Sequence, residues 1–208
     1  MTTSFTSQQM GDFLDRLASD APAPGGGAAA SFLAAQAVAL SEMAVSLTLA
    51  NSRFKDSFKR METYKTILSE ARGIFLSLMD EDAKAFSDFM DCLRVKAATE
   101  EEKKAREATM EEALKDCCRA PSQTAQTLAD LLPIMAGIIR EGNPSVKSDA
   151  IIGVEFAISA IRASALNVRV NLKYIKNEFF VREAEDTIRS WEEKISASEA
   201  VLTYQTEL

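Results

Sequence analysis

Pro22-Ala23-Pro24-Gly25-Gly26-Gly27, followed by an alanine-rich run from Ala28 to Ala50, is the stretch around which the rest of the chain is organised. Proline disfavours helix at the residue before it, whereas glycine has no Cβ atom and can adopt positive φ or let another group come close. Alanine has the highest helix propensity, so the run after the glycines predicts a helix. We expect backbone N–H groups at its start to point toward a negatively charged partner. A tight turn that lets helices pack closely explains the stretch equally well.

Composition and charge limit the class of protein. The 208 residues are 47% hydrophobic and 26% charged, which is ordinary for a soluble globular protein. The net charge of −7 argues against nucleic acid as a partner, because binding phosphates needs a basic face. Three cysteines without zinc-type spacing, and no signal peptide, predict a reducing, cytoplasmic location.

The most apolar run, Ala28–Ala50, is rich in alanine rather than leucine and contains Gln36, Ser41 and Glu42. This composition predicts a buried helix in a bundle and not a membrane span. We therefore expect no membrane partner.

The absence of histidine constrains the chemistry. No histidine occurs in the chain, which excludes a His-based triad, a His metal site and imidazole acid–base catalysis. Any acid–base chemistry must use Asp, Glu, Lys, Tyr or Cys.

Helical periodicity without strand alternation predicts an all-α fold: a bundle of long helices forming a single domain over residues 1–208. Pro121 suits the first turn of a new helix and Pro133 should kink it. The first expected helix is capped by Thr6 or Ser7 and ends near Ser19, and the alanine-rich helix follows it. A third helix covers Arg53–Val95, with a possible interruption at Gly73, and a fourth runs from the capping box at Thr99 to about Cys118. The remaining helices run from Pro121 to Gly142-Asn143-Pro144, from the cap at Ser148 to about Lys176, and from about Asn177 to the end.

Asp82 is an unusual residue for its position. It lies on the apolar stripe formed by Phe75, Leu78, Phe86 and Phe89. A carboxylate on a buried face costs several kcal/mol unless it is paired or hydrogen-bonded. Asp82 is therefore either a structural aspartate bonded to a helix terminus or a site residue.

A second group of polar residues begins at Gly142. Ser148 suits an N-cap and Asp149 suits the positive start of a helix, which is a purely structural interpretation. An aspartate, a serine and two asparagines then lie on one stripe of the next, otherwise apolar helix, and these polar residues need hydrogen-bond partners. The stripe consists of Asp149, Gly153, Phe156, Ala160, Ser164, Asn167 and Asn171.

Together these segments resemble the cyclodeaminase/cyclohydrolase family, folate one-carbon enzymes related to the C-terminal domain of formiminotransferase-cyclodeaminase. The segments that resemble the family signature are the P-x-P-G-G-G loop at Pro22–Gly27, Met43–Thr48, the D-x-x-A-F segment at Asp82–Phe86, Gly142-Asn143 with Ser148-Asp149, and Asn167-Val168-Arg169-Val170-Asn171. The chain departs from the pattern over Thr99–Cys118, in its C-terminal helix and at Pro144, and no formiminotransferase domain is recognisable.

The resemblance implies a homodimeric helical enzyme whose folate clefts are bounded by two subunits. It implies acid–base roles for Asp82 and Asp149, which should converge around the pterin. The substrate would be a tetrahydrofolate derivative, with no further cofactor and no metal. The implied substrate-binding residues include a cradle formed by Pro24, Gly25, Gly26 and Gly27. Asn167 and Asn171 would form hydrogen bonds to the pterin edges, and Asn143, Lys147 and Ser148 would also bind the substrate. Lys147, with Arg169 and Lys173, would meet the glutamate carboxylates.

Two reactions of this family remain open, and one alternative belongs to another class. Methenyltetrahydrofolate cyclohydrolase activity, giving 10-formyltetrahydrofolate, is preferred because the chain carries no transferase domain. Formiminotetrahydrofolate cyclodeaminase activity, releasing ammonia, is the second reaction. A non-catalytic helical folate-binding or interaction module is the third hypothesis.

Overall fold

The structure, a computed structural model, describes residues 4–205 and the side chains of residues 4–199. Helices make up nearly all of this range and it contains no strand, so the all-α prediction is confirmed. The helices are α1 (Met10–Leu17), α2 (Gly26–Leu49), α3 (Phe58–Arg94), α4 (Glu100–Glu141), α5 (Lys147–Leu172) and α6 (Glu178–Gln205), with short 3₁₀ turns at Phe5–Ser7, Ser52–Ser57 and Pro144–Val146.

Helix α2 is the centre of the bundle. It packs against α3, α4 and α5, which explains why its sequence is apolar on nearly every side. Its small side chains let neighbouring helices approach closely. At Gly153 of α5, for example, a Cβ atom would lie 3.0 Å from Ala37 O. The alanine-rich composition of α2 thus follows from close helix packing.

Helices α2 and α5 run antiparallel. Asn167, near the end of α5, lies beside Gly26 at the start of α2. At the other end, Asn143, which precedes α5, donates its backbone N–H to Thr48 Oγ1 at 2.9 Å. The glycine-rich loop and the segment from Gly142 to Asp149 therefore lie at opposite ends of α2.

Helix α4 is a single helix of 42 residues that runs through both Pro121 and Pro133. The capping box at Thr99 is confirmed, but the prediction that Pro121 begins a new helix is wrong. Proline has no N–H, so Pro121 cannot donate to Cys117 O four residues earlier. The side chain of Asn171 donates to that carbonyl instead, at 3.4 Å. Tertiary contacts of this kind let the helix continue.

The first helix also starts later than predicted. Ser4, not Thr6 or Ser7, accepts from a backbone N–H and caps a short 3₁₀ turn, and α1 begins only at Met10. Helix α3 likewise begins after a separate turn, at Phe58, and continues past Gly73 without a break.

Helix α5 begins at Lys147 with Val146 as its N-cap, so the predicted N-cap role of Ser148 is wrong. Ser148 lies in the first turn. The cap that the sequence does encode belongs to the preceding 3₁₀ turn, where Asn143 Oδ1 accepts from Ser145 N at 3.0 Å.

Gly26–Leu49 and Pro144–Leu172 are long and apolar enough to cross a membrane by length and composition alone, a criterion that core helices of soluble proteins also meet. Both contribute many residues to the main hydrophobic core. The core is closed on one side by α6, whose Trp191 is buried and donates its indole N–H to Gln126 Oε1 at 2.9 Å.

Candidate functional site

Helix α3 carries Asp82 directly against the first turn of α2. Asp82 Oδ2 accepts the backbone N–H of Ala28 at 2.9 Å. A Cβ atom on Gly27 would lie 2.0 Å from Asp82 Oδ1, so only glycine leaves room for the carboxylate. The start of α2 therefore holds an anion, as the sequence predicted, and that anion is a side chain of the protein itself.

The glycines act through close approach and not through unusual backbone angles. None of the glycines in the described range has positive φ. Gly26 and Gly27 belong to the first turn of α2, and Gly25 is its N-cap in an extended conformation.

The environment of Asp82 alters its acidity. Burial raises the pKa of its carboxyl group to about 6, although the hydrogen bond from Ala28 N–H opposes the shift. A carboxyl group with a pKa near neutrality exchanges a proton readily under physiological conditions. Asp82 therefore has the properties of a general acid or base.

Asp82 faces a cavity of about 180 Å³. Carboxylate, amide and aromatic groups meet there at the start of α2, and the backbone of the glycine-rich loop forms part of the wall. The residues that line it are Pro22, Ala23, Gly25, Gly26, Gly27, Asp82, Ala83, Phe86, Cys117, Asn167 and Asn171. Pro24, expected in the cradle, is buried and is not part of this wall.

Two asparagines of α5 also line this cavity. Asn167 Nδ2 donates to Ala163 O at 3.1 Å, and its amide lies next to Gly26. Asn171 Nδ2 donates to Asn167 O at 3.2 Å as well as to Cys117 O. Each amide also carries an oxygen that can accept, so the pair offers both donors and acceptors to a ligand.

Phe86 and Cys117 are among the lining residues to which the sequence gave no site role. Phe86 lies one helical turn after Asp82, so the i, i+4 spacing could have indicated it. Cys117 comes from α4 and has no such signal, since only tertiary packing brings it to the cavity. Burial, with a smaller effect from the charge of Asp82, raises the pKa of the Cys117 thiol to about 11, so it stays protonated at neutral pH.

The end of the second polar group that runs from Gly142 to Asp149 lies far from this cavity. Asp149 and Asn167 are 18 positions apart on α5, a separation of about 27 Å along the helix. The expectation that Asp82 and Asp149 converge is therefore not met within one subunit, because a continuous helix keeps Asp149 and Asn167 at opposite ends. Asn143, Lys147 and Ser148 are at the Asp149 end as well.

The other basic residues that the sequence suggested are also outside the cavity. Arg169 forms ion pairs with Glu185 at 3.3 Å and Glu192 at 3.0 Å, which hold α5 to α6. Lys173 is an exposed residue after the end of α5.

Between residues 4 and 199, no three Asp, Glu or Cys side chains come together as metal ligands. Ser164 belongs to the polar stripe of α5. Its Oγ is buried and has no hydrogen-bond partner among residues 4–199.

Comparison with known proteins relates this geometry to named enzymes. The chain is 33% identical over 174 residues to the methenyltetrahydrofolate cyclohydrolase of Methylorubrum extorquens, covering 82% of each chain. It is 27% identical over 197 residues to the formimidoyltransferase-cyclodeaminase of Gallus gallus, covering 94% of this chain but only 36% of that longer protein.

The crystal structure of formiminotetrahydrofolate cyclodeaminase from Thermotoga maritima is similar along the whole length. It superposes with a TM-score of 0.87 at 25% identity and covers 97% of both chains. The family model described as formiminotransferase-cyclodeaminase matches residues 9–190, which include the glycine-rich loop and both polar groups. The chain belongs to the formiminotransferase-cyclodeaminase family.

Proposed function

We propose that this protein is a folate one-carbon enzyme that hydrolyses 5,10-methenyltetrahydrofolate to 10-formyltetrahydrofolate. The observation that carries the proposal is the Asp82 carboxylate, held by Ala28 N–H at the glycine-rich start of α2 in a cavity with two asparagine amides. The relationship to a methenyltetrahydrofolate cyclohydrolase over most of both chains supports the choice of reaction.

The reaction needs a base beside a cationic carbon. The ionised Asp82 stabilises the positive charge of the methenyl group and takes a proton from the water that attacks its carbon. This step forms a tetrahedral carbon bearing a hydroxyl group. As the N5–C bond breaks, the protonated Asp82 returns its proton to N5. The hydroxyl group loses its remaining proton to solvent and becomes the carbonyl of the formyl group, which stays on N10. The pKa of about 6 for Asp82 suits a group that first accepts a proton and then gives it back.

Asn167 and Asn171 are proposed to form hydrogen bonds to the edge of the pterin ring. The pterin ring presents adjacent amide and amino groups, which need both acceptors and donors on the protein. The two side-chain amides lie together on α5, and their hydrogen bonds to backbone carbonyls fix their orientation. The backbone of Gly25 and Gly26 completes the cradle.

The cyclodeaminase reaction is the second candidate, because the chain matches a formiminotetrahydrofolate cyclodeaminase over nearly its whole length. In that direction N10 attacks the formimino carbon and ammonia leaves. The same carboxylate takes the proton from N10 and delivers it to the leaving amine.

An assay of the purified protein with 5,10-methenyltetrahydrofolate and with 5-formiminotetrahydrofolate separates the two reactions. We expect turnover of the first substrate at the higher kcat/KM and little release of ammonia from the second. The opposite preference would make the protein a cyclodeaminase. No turnover of either would favour a non-catalytic folate-binding or interaction module and contradict the proposal.

We further propose a homodimer in which each site uses both subunits. Five large apolar side chains on α2 and α5 are between 38 and 64% exposed: Met43, Leu47, Ile152, Leu166 and Val170. We call these five residues the α2–α5 face. Burying these side chains against a second copy removes apolar surface from water.

The geometry of α2 favours this arrangement. Its 24 residues span about 36 Å, with Asp82 at one end and Asp149 near the other. If two copies pair antiparallel along α2 by a two-fold axis, Asp149 of the partner subunit approaches the Asp82 cavity. The partner subunit's Asn143, Lys147 and Ser148 then contribute to substrate binding.

We propose a cytoplasmic protein that uses tetrahydrofolate derivatives as substrates and needs no further cofactor or metal. The net charge of −7 supports the absence of a nucleic-acid partner. The contribution of both long apolar helices to the core supports a location away from membranes.

A further inference from the structure

The N-terminal segment packs directly beside the elements that carry Asp82. Phe5 and Phe13 are buried in a small apolar cluster with Ala28 of α2 and Met79 of α3. Their two rings meet edge to face, with centroids 5.6 Å apart. Ala28 is also the residue whose N–H binds Asp82. The cluster therefore joins the N-terminal segment to both helices that hold the carboxylate.

Asp80 fastens the same segment to α3. Its Oδ1 accepts the backbone N–H of Phe5 at 2.8 Å, and its carboxylate also accepts the hydroxyl of Ser4. Asp80 precedes Asp82 by two residues on the same helix. The position of Phe5 is therefore fixed relative to the Asp82 cavity.

Arg16, on α1, connects this fixed segment to the glycine-rich loop. Its guanidinium lies over the Phe5 ring, 5.5 Å from the ring centre, which is a cation–π distance. Its Nε donates to Ala23 O at 3.0 Å. The side chain is half-buried, so water competes less for both contacts than at an open surface.

The part of the loop that Arg16 contacts has no backbone support of its own. Pro22 and Pro24 carry no N–H. Within the described range, no backbone–backbone hydrogen bond involves Pro22, Ala23 or Pro24. Pro22 and Ala23 nevertheless line the Asp82 cavity. The bond from Arg16 thus supplies a fixed point for a part of the wall that backbone hydrogen bonds do not hold.

We infer that Arg16 is a positioning residue, whose Nε–H fixes the wall formed by Pro22 and Ala23 before the substrate binds. Without this bond the substrate has to order the loop itself, and the free energy of that ordering is lost from binding. Asp82 is held independently by Ala28 N–H, so proton transfer continues at nearly the same rate. The inference rests on the proposed function, and it assigns the role to the N–H donor and not to the charge.

Two variants at position 16 separate the donor from the charge. The side-chain nitrogen of glutamine lies as many bonds from Cα as Nε of arginine, so Arg16→Gln keeps a donor for Ala23 O without the charge. Arg16→Met has a similar length and lacks both donor and charge. With 5,10-methenyltetrahydrofolate we expect Arg16→Met to raise KM about five- to tenfold, with kcat changed less than about twofold. Arg16→Gln should keep KM within about twofold of the wild type.

Phe5→Leu tests whether the ring acts through Arg16. It removes the aromatic face that the guanidinium covers, so we expect KM to rise about two- to threefold in the wild-type background. In the Arg16→Met background the same substitution should leave KM unchanged. The matched control is Arg189→Met, which removes an exposed arginine paired with Asp186 on α6 and should change neither KM nor kcat.

Amide hydrogen exchange of the peptide spanning residues 18–27 gives a measurement that does not depend on turnover. Exchange should be faster in Arg16→Met than in the wild type, and Arg16→Gln should resemble the wild type. Unchanged exchange or unchanged KM in Arg16→Met overturns the positioning role and leaves the proposed function intact. Equal increases of KM in both position-16 variants also overturn it, because the charge would then be responsible. Absence of turnover by the wild type removes the proposed function and this inference together.

Discussion

At the residue scale, the contact between Asp82 and Gly27 is the tightest constraint in the molecule. A methyl group at position 27 would overlap the carboxylate, which is fixed by its bond to Ala28 N–H. We expect Gly27→Ala to lower the free energy of unfolding by about 1–3 kcal/mol, as overpacking of a buried site does, and to abolish turnover. Chemical denaturation and the hydrolysis assay measure both effects.

Gly73→Ala is the control for that substitution. Gly73 is exposed within α3 and a Cβ atom there would meet nothing within 4 Å. Alanine at this position should raise the free energy of unfolding by up to about 1 kcal/mol through helix propensity, with activity retained. If Gly27→Ala behaves like Gly73→Ala, the close approach of Asp82 is contradicted.

The raised pKa of Asp82 predicts a pH-dependent stability. The folded-state pKa of about 6 lies above the ordinary value of 3.8, so the native state binds this proton more tightly than the unfolded state. Stability therefore falls as pH rises from about 4 to 6, and the ionised carboxylate lowers the free energy of unfolding by about 3 kcal/mol at pH 7. Asp82→Asn keeps an acceptor for Ala28 N–H without the charge. It should be more stable than the wild type at pH 7 by up to that amount.

Thermal or urea unfolding of both proteins at pH 4.5 and pH 7.5 measures the effect. The difference between them should be large at pH 7.5 and small at pH 4.5. Asp186→Asn, at an exposed ion pair on α6, should show no such gain. Equal stability of Asp82→Asn and wild type at pH 7.5 would contradict the raised pKa.

At the scale of elements, a side-chain hydrogen bond from α5 replaces a backbone hydrogen bond that α4 lacks at the site. Pro121 leaves Cys117 O without its helical donor, and Asn171 supplies one. We expect Asn171→Ala to cost about 1 kcal/mol in the wild-type background. In a Pro121→Ala background the backbone N–H returns to Cys117 O, so the same substitution should cost less.

A double-mutant cycle of the four proteins gives the coupling energy from urea unfolding. We expect about 0.5–1 kcal/mol. Additive effects, with no coupling, would mean that Asn171 does not replace the missing donor.

The sequence predicts elements well where local chemistry decides them and poorly where packing does. The alanine run of α2 and the capping box at Thr99 contain their own signals, and both predictions are confirmed. Pro121 is a helix-start signal that the structure overrides, because a side chain of α5 supplies the lost hydrogen bond. Cys117 reaches the cavity through the same contact between helices, and no periodicity could have indicated it.

At the scale of the whole molecule, the sequence identifies candidate site residues but not which of them share a cavity. Asp82 and Asn167 belong to one cavity, as the resemblance implied. Asp149 is a candidate of the same kind, but the antiparallel packing of α2 and α5 carries it to the other end of the bundle. The spacing of residues along the chain does not show which end of a long helix lies at the cavity. It also does not show which residues a second copy would bring to the site.

A complementation experiment tests whether two copies share each site. Asp82→Asn and Asp149→Asn should each reduce turnover by at least about a hundredfold. In a dimer mixed from both variants, one of the two sites contains an intact Asp82 and the intact Asp149 of the partner subunit. An equal mixture after unfolding and refolding should therefore recover about a quarter of wild-type turnover.

The control for complementation is the same mixture carrying Leu47→Glu and Ile152→Glu, which place charges on the α2–α5 face. Light scattering should show monomers, and no turnover should return. Phe179→Glu, at an exposed position on α6, should leave the dimer intact. Failure of the unmodified mixture to recover turnover, with dimers present, would contradict the shared site.

In the proposed mechanism, Asp82 exchanges protons with the reacting one-carbon unit. The most direct test is the pH dependence of kcat/KM for hydrolysis of 5,10-methenyltetrahydrofolate in the wild type and in Asp82→Asn. We predict that wild-type kcat/KM rises with pH through an apparent pKa of about 6, the value for Asp82 in the fold, and that the residual activity of Asp82→Asn lacks this limb. An Asp82→Asn protein that keeps wild-type kcat/KM and the same pH profile would contradict the account.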